Sequence, residues 1–264
     1  MKLPFAQIDA FADRPFQGNS AAVIPLDAWL PDELLIRIAM ENNLSETAFL
    51  VPASDDADYE LRWCTPTTEV PLCGHATLAA GHFVLSRDQS MARVRFLTRK
   101  AGMLEVQRAG TGYALDLPAT DMEPGSDDTL LDILGLPDAS IFVACNGVEH
   151  IHIVLLPDEA AVRAVRPDFR RLAEVDTMAI VTAPGDSADI ASRVFVSAWG
   201  IDEDPVTGSA HAALVPFWAE RLGRDTFSAF QASARGGHMR CRLEGDRVIL
   251  DAPCVTVIEG VFSL

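Results

Sequence analysis

Basic residues and cysteines are scarce in this sequence. Of 264 residues, 21 are Lys or Arg and 38 are Asp or Glu, which gives a formal net charge of −17. So acidic a chain is a poor partner for nucleic acid or for an anionic membrane surface. The five cysteines are odd in number and contain no C-x-x-C pair. We therefore expect neither a disulfide framework nor a zinc ribbon, and a reducing, cytoplasmic compartment.

Long apolar runs and the common nucleotide motifs are also absent. No run approaches the length of a membrane span, and the N-terminal stretch MKLPFAQIDAFADRPF has no apolar signal core. Neither G-x-x-x-x-G-K-[ST] nor G-x-G-x-x-G occurs, and there is no G-x-S-x-G elbow of a serine hydrolase. The hydrophobic content of 49% and the charged content of 22% are those of a soluble globular protein.

One sequence pattern occurs twice, about half a chain apart. Residues 68–80 read TEVPLCGHATLAA, and residues 202–214 read DEDPVTGSAHAAL. Each copy has Glu, Pro and Gly at matching places, and Gly74 aligns with Gly208. Self-similarity over half the chain predicts two copies of one supersecondary plan that face each other.

Each copy predicts a loop followed by a helix, over 74–87 in the first half and over 208–222 in the second. Glycine lets a ligand approach the backbone, and a helix start offers unpaired N–H groups with partial positive charge. Two such starts would bind an anion such as a carboxylate. The alternative is a pair of ordinary buried helices. Because the two copies match, we favour a site for a small anionic carboxylate.

Alternating strand patterns surround the two helices. Both halves read strand, strand, helix, strand, strand, glycine-started helix and further strands, and Pro167-Asp168 opens a helix in the second half. This order predicts an α+β fold of two pseudo-repeated domains, each a barrel-like, mostly antiparallel sheet around a central helix. We place the domains at 1–117 and 118–264. The last strand, about 254–264, can return to the first domain.

A carboxylate occupies an unexpected place at the entry to a buried strand. Glu46 directly precedes the apolar stretch 47–51, although a solvated acid in a turn is an equally good interpretation. With a raised pKa, such a carboxylate can move protons to and from carbon. Ser209 and the helix starts would hold the substrate anion, with His75 and Asp204 as hydrogen-bond partners or secondary acid/base groups.

Metal binding and thiol chemistry are the main alternatives to acid/base chemistry by Glu46. His75 and His82 lie seven residues apart on one predicted helix, and His150 and His152 lie on one face of a strand, but neither pair has a third ligand nearby. We therefore predict no metal. Cys73 at a helix start would have a lowered pKa and could act as a carbon base. Its counterpart in the repeat is threonine, too weak an acid, so we favour a small buried residue.

Several motifs together resemble one known family. They are Asp9-Ala10-Phe11 through Phe16-Gln17-Gly18-Asn19, Asn43-Leu44-Ser45-Glu46-Thr47-Ala48-Phe49, Pro71-Leu72-Cys73-Gly74-His75-Ala76-Thr77-Leu78, Glu203-Asp204-Pro205-Val206-Thr207-Gly208-Ser209-Ala210 and, more weakly, Arg235-Gly236-Gly237. The combination resembles the PhzF-like isomerases, named for a phenazine-biosynthesis enzyme, within the diaminopimelate-epimerase-like fold. The resemblance implies two similar domains with the active site in the cleft between them, a homodimer and no cofactor.

The resemblance also implies site residues. The general acid/base glutamate of the phenazine enzyme matches Glu46, and its other active-site residues match His75, Asp204 and Ser209. That enzyme isomerises a dihydro-hydroxyanthranilate by proton transfer between ring carbons. We assign substrate binding to four further residues, Asn19, Gly74, Thr207 and Gly208.

These assignments predict a cofactor-independent isomerase of a small, possibly cyclic, carboxylate. Two alternatives stay open. One is a non-catalytic metabolite-binding protein on the same fold, and the other is an epimerase or racemase that uses Cys73.

Overall fold

The computed structural model describes residues 1–53, 56–145 and 150–264. The strands are β1 (Lys2–Ala10), β2 (Asn19–Pro25), β3 (Glu46–Pro52), β4 (Tyr59–Cys64), β5 (Glu69–Val70), β6 (Arg93–Thr98), β7 (Met103–Ala109), β8 (Gly112–Pro118), β9 (Met122–Pro124), β10 (Ser140–Ala144), β11 (Ile151–Leu155), β12 (Met178–Pro184), β13 (Ile190–Val196), β14 (Ile201–Asp204), β15 (Thr226–Gln231), β16 (Gly237–Glu244), β17 (Arg247–Ala252) and β18 (Cys254–Ser263). The α-helices are α1 (Asp32–Asn42), α2 (Gly74–Arg87), α3 (Asp128–Leu134), α4 (Glu159–Ala164), α5 (Phe169–Leu172) and α6 (Gly208–Leu222).

The chain divides into two compact units. Unit 1 comprises Met1–Leu117 and Asp251–Leu264, and unit 2 comprises Pro118–Leu250. The last strand, whose place the sequence left open, pairs antiparallel with β1 along its length, from Lys2↔Ser263 to Ala10↔Cys254. The C-terminal strand therefore belongs to the sheet of unit 1.

The sheet of unit 1 is mixed. Its pairings run β18–β1–β2–β3–β4–β6–β7–β8, and β5 adds to β4. The pairs β2–β3 and β4–β6 are parallel, and the others are antiparallel. Each parallel pair is joined by a crossover helix, α1 or α2, as parallel neighbours require. The described pairings leave this sheet open, so it is not the closed barrel that the word barrel-like would suggest.

Helix α2 is the centre of unit 1. It contacts β1, β2, β3, β6, β7 and β18, and its residues from Gly74 to Gly81 are all buried. Gly81 permits this position, because an ideal Cβ there would lie 2.4 Å from a methyl carbon of Val106 on β7. A side chain at this point would force the helix and the strand apart.

Helix α1 covers part of the same sheet. Its Leu35 and Ile38 are fully buried in a cluster with Phe49 and Val51 of β3. Successive strand residues point to opposite faces. The intervening Leu50 is buried too, so β3 is covered on both faces and the carboxylate at its first residue lies at the end of a buried strand.

Unit 2 repeats the plan. Its pairings run β9–β10–β11–β12–β13–β15–β16, with β14 also on β13. The pairs β11–β12 and β13–β15 are parallel, and their crossovers contain α4 with α5 and α6, respectively. Helix α4 packs on β12 and β13, while α6 contacts β9 and β16. The mixed α+β class and the central helix of each unit agree with the prediction from the sequence.

The prediction that Pro167-Asp168 opens a helix is confirmed, although this helix, α5, is a single turn capped by Asp168. Helix α4, which Asp158 caps by accepting a hydrogen bond from the Ala161 N–H, was not predicted. The short strand β14, which precedes the loop 205–207 before the second glycine-started helix, was not predicted either. Strands of two to four residues carry too little periodicity to be recognised.

Candidate active site

Two elements of unit 1 present the predicted acid/base residues. Helix α1 ends where Asn43 takes a left-handed conformation, with φ of 50°, and the chain turns into β3, whose first residue is Glu46. The amide of Asn42 donates to the Thr47 hydroxyl over 3.0 Å and so braces this turn. Glu46 is thereby fixed at the strand entry, as the sequence predicted.

The glycine-started helix α2 brings His75 to the same place. Cys73 has extended backbone angles and precedes the first helical residue, Gly74, and no side chain caps this helix start. The hydroxyl of Thr77 donates to the Cys73 carbonyl over 2.6 Å. No acidic residue of α2 lies in its first turn, so no side chain of the helix itself offsets the partial positive charge of its start.

The imidazole of His75 is the centre of the group. Its Nε2 lies 3.2 Å from Glu46 Oε2 and 3.4 Å from Ser45 Oγ. Its Nδ1 lies 3.2 Å from the amide nitrogen of Asn19 and 3.5 Å from Cys73 Sγ. The His75 side chain is only 6% exposed, and that of Glu46 is 17% exposed. A buried imidazole thus connects a partly accessible carboxylate to a buried amide and a thiol.

The pKa of Glu46 is shifted in the direction opposite to the prediction. Burial opposes ionisation, but the charge of His75 and hydrogen bonds from His75, Ser45 and Cys73 outweigh burial and lower the pKa. The expectation of a raised pKa from burial alone was therefore wrong, because the sequence did not reveal the contact with His75. Glu46 is a carboxylate at neutral pH, which is the form of a general base.

The pKa of Cys73 is raised rather than lowered, which agrees with the favoured interpretation of Cys73 as a small buried residue. Burial and the nearby Glu46 charge raise it to about 11, so the thiol is neutral at neutral pH. Burial alone would lower the pKa of His75, whereas its contacts with Cys73 and Glu46 raise it well above 6.5. Because the thiol is neutral, the negative charge that acts on His75 is that of Glu46.

Glu46, Cys73 and His75 are the one described group that is close enough for metal ligation, with one ligand atom of each within 4.8 Å of the others. However, the thiol lies beside Nδ1 and the carboxylate beside Nε2. The lone pairs of these two nitrogens diverge, so one ion could not use both short contacts. The geometry fits an ion pair better than a metal centre.

The other histidine pairs that we weighed as ligands have different neighbours. His82 contacts the Tyr113 and Thr256 hydroxyls, and His152 contacts that of Thr177. These contacts are those of histidines satisfied within the fold.

Unit 2 presents the second group of predicted residues. Asp204 is the last residue of β14, and its carboxylate accepts a hydrogen bond from the Thr207 hydroxyl. The buried Gln231 braces this turn, because it accepts from the Thr207 N–H over 2.9 Å and donates to the Asp204 carbonyl over 2.7 Å. Gly208 begins α6, and Ser209 follows it, half-buried. Their roles in binding or catalysis stay predictions.

Sequence analysis missed a pair of arginine–glutamate contacts. Arg62 donates through Nε and Nη2 to the two carboxylate oxygens of Glu69, over 2.9 and 2.6 Å. Arg193 does the same to Glu203, over 2.8 and 2.9 Å. Both glutamates precede the helix-starting glycine by the same number of residues. The repeated Glu was visible in the sequence, but its partner on the neighbouring strand was not.

The chain is similar to several known proteins. The family model described as phenazine biosynthesis-like protein matches residues 8–260. A protein of Pseudomonas aeruginosa named as an uncharacterized isomerase is 48% identical, over 100% of both chains. No described helix is both long and apolar enough to cross a membrane.

Solved structures agree in fold. A PhzF-family phenazine biosynthesis protein of Enterococcus faecalis has a TM-score of 0.89 at 39% identity, over 100% of both chains. A hydroxyproline epimerase of Agrobacterium vitis has a TM-score of 0.62 at 10% identity, over 98% of this chain and 92% of that one, a likeness of fold alone. The chain therefore belongs to the phenazine biosynthesis-like protein family, and it is an enzyme of the isomerase type.

Proposed function

We propose that this protein moves a proton between carbon atoms of a small, unsaturated carboxylate without a cofactor, with Glu46 as the general acid/base. The observation that carries the proposal is the contact between Glu46 and the buried His75 at the start of α2. General acid–base catalysis needs a group whose proton can be taken up and returned within hydrogen-bond reach of the reacting atom.

The proposed reaction begins with the Glu46 carboxylate. It accepts a proton from one carbon of the substrate, and the electron pair left behind is delocalised into the adjacent unsaturated system and its carboxylate. The imidazole of His75 lies 3.2 Å from Oε2 and stabilises Glu46 in its ionised form before and after the transfer. The protonated Glu46 then returns the proton to a different carbon, so the double bond moves and no other reagent is consumed.

The start of α2 supplies a place for the substrate anion. Its backbone N–H groups have no side-chain cap and no acidic residue in the first turn, which favours a carboxylate at this end of the helix. Gly74 leaves the backbone open to close approach. The predicted contributions of Asp204, Thr207, Gly208 and Ser209 to the same reaction are part of this proposal.

The alternatives are less well supported. An epimerase that used Cys73 would need a thiolate, whereas burial raises the pKa of this thiol to about 11. A binding protein would need an anion site but no carboxylate held against a buried imidazole. Both alternatives are outcomes of the same experiment.

The experiment is uptake of deuterium from D2O into candidate substrates, followed by NMR. A dihydro-hydroxyanthranilate and other unsaturated cyclic acids are incubated with the wild type, with Glu46→Gln and with Glu41→Gln. Glu41 lies in the last turn of α1 and is exposed, so it is a matched control for loss of a carboxylate. We expect carbon-bound deuterium with the wild type and the control, and a rate about 100-fold or more lower with Glu46→Gln.

Exchange that survives in Glu46→Gln but is lost in Cys73→Ala would contradict the role of Glu46 and support the thiol. Saturable binding of the same acids without any exchange would support the metabolite-binding alternative.

A further inference from the structure

We infer that Asn19 is a positioning residue, which determines which nitrogen of His75 carries the proton, rather than a residue that binds substrate. The sequence alone suggested substrate binding. In the structure the Asn19 side chain is buried, 2% exposed, and its amide nitrogen lies 3.2 Å from His75 Nδ1. An amide NH2 can only donate, so Nδ1 accepts in the neutral form of His75.

Different groups lie beside the two nitrogens of the imidazole. On the Nδ1 side lies one donor, the Asn19 amide, with the Cys73 sulfur 3.5 Å away. On the Nε2 side lie the Glu46 carboxylate, which can only accept, and the Ser45 hydroxyl. The arrangement therefore favours the neutral tautomer with hydrogen on Nε2, on the side of Glu46. Among the described residues, Glu46 and Cys73 are the titratable groups in contact with His75.

The backbone is strained in the loop between β1 and β2, which leads to Asn19. Between β1 and β2, Phe11 and Phe16 have positive φ angles of 59° and 74°, which are rare for bulky residues. An ideal Cβ at Gly18 would lie 2.0 Å from the Ala10 carbonyl oxygen. Such strain persists only when the surroundings impose it, and it is concentrated at functional sites.

A buried carboxylate holds this loop closed. Asp9, 1% exposed, accepts from the Phe16 N–H over 2.9 Å and from the Ser20 hydroxyl. The register then pairs Ala10 with Asn19, which makes Asn19 the first residue of β2. The loop thus places the buried amide of Asn19 against the imidazole of His75.

The consequence for chemistry rests on the proposed function. With hydrogen on Nε2, His75 donates to the Glu46 carboxylate and holds it as a base. With hydrogen on Nδ1, the lone pair of Nε2 would face the carboxylate, and Glu46 would have no N–H of His75 beside it. Asn19 also opposes a second proton on the imidazole, because that proton would lie on Nδ1, against the Asn19 amide, whereas the charge of Glu46 favours it.

The test is the protonation of His75, followed by long-range proton–nitrogen NMR over a pH titration, with the His75→Gln variant to assign the signal. We compare the wild type with Asn19→Leu, which removes the donor at similar size, and Asn19→Asp, which replaces it with an acceptor. Ser20→Ala is the control, because it removes one hydrogen bond of the loop, while the Phe16 N–H bond to Asp9 and the pairing of Ala10 with Asn19 remain.

We expect the neutral imidazole to carry its hydrogen on Nε2 in the wild type and in Ser20→Ala. In Asn19→Leu a measurable share of Nδ1–H tautomer appears, and in Asn19→Asp that tautomer or the imidazolium dominates, with the pKa of His75 rising in the order wild type, Leu, Asp. An unchanged tautomer and pKa in both Asn19 variants would overturn the inference, and so would an Nδ1–H tautomer in the wild type.

A kinetic readout separates positioning from binding. Once a substrate is identified by deuterium exchange, Asn19→Leu should lower kcat about fivefold to tenfold with little change in KM. A raised KM with unchanged kcat would show that Asn19 binds substrate and would overturn the inference. Because the NMR titration needs no substrate, it remains decisive even if the proposed reaction is wrong.

Discussion

The close approach of α2 to β7 predicts that Gly81→Ala is destabilising, although alanine is the better helix former. An ideal Cβ at Gly81 would lie 2.4, 2.6 and 2.9 Å from the three side-chain carbons of Val106, which is fully buried. These distances are about 1 Å below ordinary carbon–carbon contact. The helix, the strand or both must therefore move.

The magnitude follows from two opposing contributions. Overpacking of a buried contact costs about 1–3 kcal/mol, and the exchange of glycine for alanine inside a helix returns about 1 kcal/mol. The free energy of unfolding should therefore fall by about 1 kcal/mol, which corresponds to a Tm lower by about 2–4 °C for a chain of this size. Because His75 is on the same helix, its distance from Glu46 should change as well.

Thermal and urea unfolding measure this effect. Gly260→Ala is the matched control, because no atom lies within 4 Å of an ideal Cβ there and it should leave the Tm unchanged within error. The double variant Gly81→Ala with Val106→Ala should recover part of the loss, since it removes the clashing carbons. A Gly81→Ala protein that is more stable than the wild type, with an unchanged His75 NMR signal, would refute this packing argument.

Three further predictions concern other parts of the molecule. His211 is fully buried, and burial lowers its pKa to about 4. Because the unfolded chain binds the proton first as the pH falls, the free energy of unfolding should drop by about 3 kcal/mol between about pH 6.5 and 4. Denaturant titrations of the wild type and of His211→Gln should show a shallower pH dependence in the variant. Cys73→Ser should keep at least about a tenth of the deuterium-exchange rate, and complete loss would favour thiol chemistry. Arg193→Met leaves the Glu203 carboxylate, 21% exposed, without its bidentate arginine partner. The free energy of unfolding should therefore fall by about 2–4 kcal/mol. An unchanged urea midpoint would show that this contact does not contribute to stability.

The sequence predicted the main elements because their patterns are long. Helices over 74–87 and 208–222 were expected and are observed at those residues, since a glycine followed by a long alanine-rich apolar run has few other solutions. The internal repeat also anticipated that the two units share one topology. By contrast, β5 and β14 contain two and four residues, and pairing with a neighbouring strand, not local propensity, makes them strands.

The site was predictable in its residue types but not in its electrostatics. Glu46 and His75 were singled out from motifs, and the structure brings them to 3.2 Å. The direction of the pKa shift of Glu46 was wrong, because it depends on contacts between residues far apart in sequence. Asn19 was assigned to substrate binding because nothing local in the sequence shows that its amide lies against the imidazole.

The ionisation of Glu46 in the free enzyme is the most direct test of the proposed acid/base pair. Infrared difference spectra between the wild type and Glu46→Gln report its carboxylate and carboxylic acid bands as the pH is lowered. We expect a carboxylate at neutral pH with a pKa below 4.5 in the wild type. In His75→Gln we expect a higher pKa than in the wild type, because the charge of His75 no longer opposes the effect of burial. A protonated Glu46 at neutral pH, or a pKa that does not change when His75 is replaced, would contradict the claim that this pair is the acid/base centre.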